Sequence, residues 1–219
     1  MSSVHNTSRI HTRSISDQLY DILREKILSG DLPGGEPIRQ DTIAAQYEVS
    51  KIPVREALAR LQQDGMVAVH PKRGFSVSPL TRAEAEDVFH LRLMIEPDAA
   101  ALGAAHATEE DAAFATRMLE ELEAAIERKD EQRGLYNGRF HMALIRPGAG
   151  PATLRVIDLL NSVADRYIRF QLHADGNDTR ANEQHRELLE CWLHGRKKEI
   201  EKLMRIHIQM TADDLMSTL

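Results

Sequence analysis

Several side chains in the second half of the sequence have the types needed to hold a cation and an anion. Asn137 and His141 stand four apart, so on a helix both leave the same face. His185 and His207 follow on later segments. Neutral imidazole suits zinc, nickel and similar first-row ions. Spacing alone leaves a plainer reading open, since dispersed histidines also serve as ordinary polar or packed residues. Arg92 can take a carboxylate through two parallel hydrogen bonds. Its alternative is an ion pair with Glu96, one turn later.

A second group lies in the first half. Lys51 and Arg55 are one helical turn apart and directly follow Ser50, a good helix N-cap. Cations at a helix N-terminus can reach guanine O6 and N7, and the free N–H groups there favour phosphate. His70, Lys72, Arg73 and Gly74 cluster about a Pro71-Lys72-Arg73-Gly74 tip that can lie along a nucleic-acid backbone. Taken singly, each of these cations is equally well a solvated surface charge.

The elements that must position these groups follow from periodicity. Leu19, Ile22, Leu23, Ile27 and Leu28 predict a helix from about Ser16 to Ser29, stopped by Gly30. Asp31 to Pro37 is a turn by composition. A short helix is predicted over Gln40 to Tyr47, and a second over Lys51 to Gln63 with Val54, Ala57, Leu58 and Leu61 inward. Val67, Val69, Phe75 and Val77 alternate, as in a two-stranded hairpin. Three helices and a hairpin make a winged helix-turn-helix, whose second helix of the motif enters the major groove.

Ser78-Pro79-Leu80 is the predicted linker, and Thr81 with Glu84 forms a capping box that opens a new helix. The rest is helical, with breaks at Pro97, Ala107-Thr108, Lys129-Asp130, Arg146-Pro147-Gly148, Asp175-Gly176-Asn177 and His194-Gly195. The expected fold is mainly α. A flexible tail over 1–15 precedes a winged helix-turn-helix over 16–78 and an all-α bundle of about six helices over 79–219.

Composition narrows the function classes. The 219 residues carry a net charge of −6, split as +1 over 1–78 and −7 over 79–219, so charge alone does not single out a nucleic-acid binder. No apolar run approaches the ~20 residues of a membrane span, and the polar start does not read as a signal peptide. The lone Cys191 has no internal disulfide partner and reads as a small apolar side chain beside Trp192. A cytoplasmic protein without a membrane partner is expected.

The stretch Ile43-Ala44-Ala45-Gln46-Tyr47-Glu48-Val49-Ser50-Lys51-Ile52-Pro53-Val54-Arg55-Glu56-Ala57-Leu58, with the distal Asp64-Gly65, resembles the GntR family of transcription regulators. Ile27 to Gly34 and Lys72 to Val77 match it too. The family usually has Ser-Arg-Thr where this chain has Ser50-Lys51-Ile52. Lysine lacks the bidentate fork of arginine, and isoleucine removes a hydroxyl. Asp41 stands where many members carry a charged residue, so no Arg contact to phosphate carries over there.

The second half resembles the FadR-like branch, with its helical effector-binding FCD domain. The matching pieces are Arg92 to Pro97, Asn137 to His141, Glu183 to Leu188 and Met204 to Ile208. That resemblance implies a divalent metal on Asn137, His141, His185 and His207, with zinc first and nickel or another first-row metal as alternatives. Asn137 replaces the usual Asp, which implies weaker binding. It also implies an anionic effector, a small carboxylate, held by Arg92, with Arg166 and Arg169 as further cavity candidates. The expected whole is a homodimeric, effector-controlled regulator bound to double-stranded operator DNA, with no catalytic residues. Two rivals stay open: a metalloenzyme with a water-activating three-His site, and a regulator whose cavity holds an acyl chain or serves only dimerisation.

Overall fold

The computed structural model describes residues 13–130, 132–172 and 178–219. Helix α1 (Ile15–Leu28) opens on a full capping box between Ser14 and Asp17 and buries Leu19, Leu23, Ile27 and Leu28. A short strand β1 (Pro37–Ile38) leads to α2 (Gln40–Gln46) and α3 (Lys51–Gln63). Helix α3 buries Val54, Ala57, Leu58 and Leu61 against α1, and Gly65, at φ 72°, turns the chain into β2 (Val67–His70) and β3 (Gly74–Val77). These residues share one hydrophobic core, which also takes Ile38, Ile43, Met66, Val67 and Val77.

The sheet corrects the expected hairpin. It has three strands in the order β1-β3-β2, all antiparallel, with Pro37 opposite Ser76 and Ile38 opposite Phe75. Pro37 reads as a turn residue in isolation. An edge strand tolerates it, because its missing N–H can face away from the ladder, and the burial of Ile38 fixes the pairing. Ser50 does occupy the N-cap of α3, yet its hydroxyl makes no capping hydrogen bond.

Six α-helices follow among the described residues: α4 (Arg82–His106), α5 (Glu109–Glu127), α6 (Arg133–Ile145), α7 (Pro151–Leu172), α8 (Asp178–Leu193) and α9 (Lys197–Thr218). A 3-10 turn at Arg146–Gly148 joins α6 to α7. Their core is separate from that of the first half and holds Phe89, Leu122, Phe140, Leu144, Tyr167, Trp192, Ile200 and Met204. Gly103 lets α4 touch the end of α6: a Cβ there would overlap the Leu144 carbonyl, which instead accepts the Trp192 indole N–H at 2.9 Å.

Two expectations fail here for traceable reasons. Pro97 does not break the helix; it lies inside the 25-residue α4. Proline frees the carbonyl four residues before it, and Arg205 of α9 donates to that Leu93 carbonyl at 3.0 Å. The capping box at Thr81 forms by half. Thr81 accepts from the Glu84 N–H, but the Glu84 carboxylate accepts from the Tyr167 hydroxyl instead. That hydroxyl also accepts the Thr81 N–H at 3.1 Å, so α7 pins the start of α4. The expected break at Asp175 to Asn177 lies outside the described residues. Among the described residues, no helix is long and apolar enough to cross a membrane.

Candidate DNA-facing surface and candidate metal and effector site

The residues expected from sequence to face DNA stand on exposed positions of the first half, Gly74 at the wing tip being half-buried. Lys51, Arg55, His70, Lys72 and Arg73 are all exposed, as is Ser50 at the α3 N-cap. The inward face of α3 is apolar, which leaves Lys51 and Arg55 to solvent. Lys72 takes φ 65° and Gly74 φ 88°, so the wing tip projects as a tight turn. His70 is tied to Ser76 at 2.8 Å across the strands. One feature was missed from sequence: Asp41 of α2 pairs with the Lys51 ammonium at 2.5 Å, partly neutralising it. Ile52 is 69% exposed in the first turn of α3, an apolar side chain that burial does not explain.

In the bundle, His141 on α6, His185 on α8 and His207 on α9 converge. All three are buried, and one ring nitrogen from each lies within 4.8 Å of the others. The closest pair, His185 Nε2 and His207 Nε2, is 3.2 Å apart. Two nitrogens bound at ~2.0–2.1 Å to one tetrahedral ion lie about 3.4 Å apart, so this separation suits shared ligation. Gln184 accepts from His207 Nδ1 at 2.9 Å, which leaves the Nε2 lone pair facing the cluster. Among the described residues, both His141 nitrogens are buried without a hydrogen-bond partner, and so is His185 Nδ1. Unpaired buried imidazole nitrogens are what a metal site needs filled.

Burial pushes His185 and His207 well below the usual histidine range, and the neighbouring rings add to the effect, so both stay neutral, as ligands must be. Asn137, Arg92, His185 and His207 line one cavity of about 90 Å³. That is far below the ~300–1,000 Å³ of sites for drug-sized ligands.

Arg92 makes the ion pair with Glu96 that its spacing allowed. It lines the cavity, and it also pairs with Glu96 through Nε at 2.6 Å and Nη2 at 3.3 Å. Glu96 is fully buried and lies 3.7 Å from His141 Nδ1. Burial alone would raise its carboxyl, but the Arg92 guanidinium and the His141 ring outweigh this and hold it at about 2. Glu96 thus links Arg92 to the histidine cluster. Sequence spacing suggested it only as an ion-pair partner.

Arg166 and Arg169 do not face this cavity; α7 turns them toward the first domain. Arg166 Nη2 donates to the Ser78 carbonyl. Arg169 bonds Asp165 through Nε at 3.2 Å and Glu25 of α1 through Nη1 at 2.7 Å. Arg24 of α1 lies 3.6 Å from Asp165. Gly134, at the start of the helix that carries Asn137 and His141, packs directly on this group. A Cβ there would overlap Asp165 Oδ1, a close approach that only glycine permits.

Comparison with known proteins decides the family. Residues 15–77 match the model for bacterial regulatory proteins of the gntR family, and residues 87–210 match the FCD domain. The chain belongs to the GntR family, with an FCD domain. The repressor RspR of Escherichia coli is 25% identical over 207 residues, 93% of this chain and 90% of that one. The Bacillus subtilis regulator YdhC is 32% identical over 130 residues, and the match spans 58% of each chain. Among solved structures, E. coli McbR/YncC superposes with a TM-score of 0.80 at 23% identity, over 94% of this chain and 99% of the other. This GntR protein is therefore a DNA-binding transcription regulator, and its family and relatives are regulators rather than enzymes. The metalloenzyme alternative falls with that finding.

Proposed function

We propose that this GntR regulator controls operator binding through a small carboxylate effector held beside a divalent metal in its FCD domain. Residues 16–78 form the DNA-binding head and residues 79–219 the sensing and dimerising body. As a homodimer it presents two copies of α3 to two half-sites related by a two-fold axis. Ser50, Lys51 and Arg55 contact the major groove, and His70, Lys72, Arg73 and Gly74 follow the backbone.

The observation that carries the sensing half is the meeting of three buried imidazoles, two of which line a cavity that Asn137 and Arg92 also line. Three nitrogens and one amide oxygen suit zinc or nickel. An ion held by these four groups would have to expand its shell beyond them to accept a carboxylate oxygen. Arg92, held by Glu96, supplies the second grip on that carboxylate. Movement of α6 would be felt at Gly134 and passed through Asp165 and Arg169 to Glu25 on α1. An effector shifts the head only if it binds one arrangement more tightly than the other.

The test is metal analysis of protein dialysed against zinc or nickel at pH 7.5, followed by an acid screen on loaded and stripped protein. One ion per chain, with acid binding lost on stripping, is the expected result. Protein that takes up no stoichiometric ion overturns the metal, and acid binding unchanged by stripping overturns its link to the effector.

A further inference from the structure

A much larger cavity lies where the two domains meet. Its volume is about 620 Å³, against about 90 Å³ for the histidine-lined cavity. Its walls are Ile27 and Leu28 of α1, Leu32 of the following loop, Val77 at the end of β3, Leu80 at the end of the linker, and Leu219. The one charged side chain among the lining residues is Arg166 of α7. A volume of this size falls inside the ~300–1,000 Å³ range of small-molecule sites.

Arg166 is 5% exposed. Its Nη2 donates to the Ser78 carbonyl, while its Nη1 is buried with no hydrogen-bond partner among the described residues. The carboxylate whose charge it feels, Glu84, is engaged by the Tyr167 hydroxyl. A guanidinium taken out of water this far is costly unless an anion meets it. A neutral carbonyl on one of its nitrogens meets that need only in part.

We infer that this interdomain cavity is a second ligand site, for an amphipathic monocarboxylate whose apolar chain lies between α1 and the linker and whose carboxylate binds Arg166. A carboxylate arriving at Nη2 in place of the Ser78 carbonyl would also satisfy Nη1, in the two-bond geometry that guanidinium favours. The exchange has a mechanical consequence. Ser78 directly follows β3 of the DNA-binding head, and its bond to Arg166 is one of the ties between that head and the body. Ligand binding would release this tie and fill the cleft beneath α1. The site is independent of the metal reading, since it shares no lining residue with the histidine-lined cavity.

The test is calorimetric titration of the full chain with sodium octanoate and, separately, octan-1-ol. Octanoate should bind once per chain, with octan-1-ol at least about tenfold weaker because it cannot form the paired bonds. Arg166→Gln should bring octanoate down to the level of the alcohol. Leu32→Trp, which fills the cavity and keeps the arginine, should remove binding of both. His207→Ala should leave octanoate binding unchanged. Hydrogen exchange at the Ser78 amide and its neighbours should speed up when octanoate is added to the wild type. No octanoate binding at millimolar concentration, equal binding of acid and alcohol, or binding that survives Leu32→Trp would each overturn the assignment. Loss of octanoate binding in His207→Ala would place the acid in the histidine-lined cavity and overturn it as well. Should Arg166→Gln not fold, Leu32→Trp and the acid–alcohol comparison still decide.

Discussion

The two halves of this regulator keep their functional residues in opposite ways. The head offers exposed cations drawn from short contiguous stretches, Ser50 to Arg55 and His70 to Gly74. The body hides its candidate ligands, with His141, His185 and His207 all buried and brought together from three helices. Surface recognition of a charged polymer works with solvated side chains on a rigid helix and wing. Holding an ion and a small acid requires groups removed from water, where unmet nitrogens and charges carry a large penalty. The first arrangement is tolerant of its surroundings; the second depends on every neighbour.

That difference sets how sharply each half should respond to substitution. The largest effect is expected in the body. His185→Ala or His207→Ala should lower metal affinity by more than about a hundredfold if each ring is a direct ligand, as proposed. Equilibrium dialysis with zinc measures this, and operator binding by the metal-free proteins should not change. Equal loss of operator binding would break the contrast.

Next in size is the pH response of protein stripped of metal. His185 and His207 are held neutral below the usual range when folded, so the unfolded chain binds protons first as pH falls. Their contribution to stability is complete above about pH 6.5 and is lost as pH falls below it. The slope should reach about 1.4 kcal/mol per pH unit for each ring. Urea melts at a series of pH values read it directly, and stability unchanged between pH 6.5 and 5 would show the rings to be accessible.

Gly134→Ala should destabilise the body by about 1–3 kcal/mol, the usual cost of overpacking, because the new Cβ meets Asp165, which Arg169 holds in place. It should also loosen the Arg169–Glu25 tie, seen as faster amide exchange along α1. Substitutions in the head should instead leave stability alone. Arg55→Ala should cost about 1–3 kcal/mol of operator affinity if it contacts a base, with no change in melting. An Arg55→Ala protein that binds its selected operator normally removes that contact.

The smallest effect is at Asp41. Its ion pair with Lys51 is solvent-exposed, so Asp41→Asn should change stability by no more than about 0.2–1 kcal/mol. It should raise operator affinity a few-fold by freeing Lys51, measured by fluorescence anisotropy at low salt. A fall in affinity would mean that Asp41 orients Lys51 rather than masking it.

Much of this molecule was readable from sequence because much of it is local. The bounds of α3, the exposure of Lys51 and Arg55, and the helical character of the second half follow from periodicity and caps within short windows. Asn137 and His141 share a face because of helical geometry alone. Tertiary structure decided the rest, for reasons no window could contain. Arg205, more than a hundred positions away, rescues the carbonyl that Pro97 frees, so α4 stays whole. The burial of Ile38 turns an apparent loop into an edge strand. His141 and His207 are 66 positions apart and meet only because α6 and α9 flank one cavity. The packing of α7 sends Arg166 and Arg169 to the head rather than to that cavity, because a helix's own sequence sets which face turns inward but not which neighbour its other faces meet.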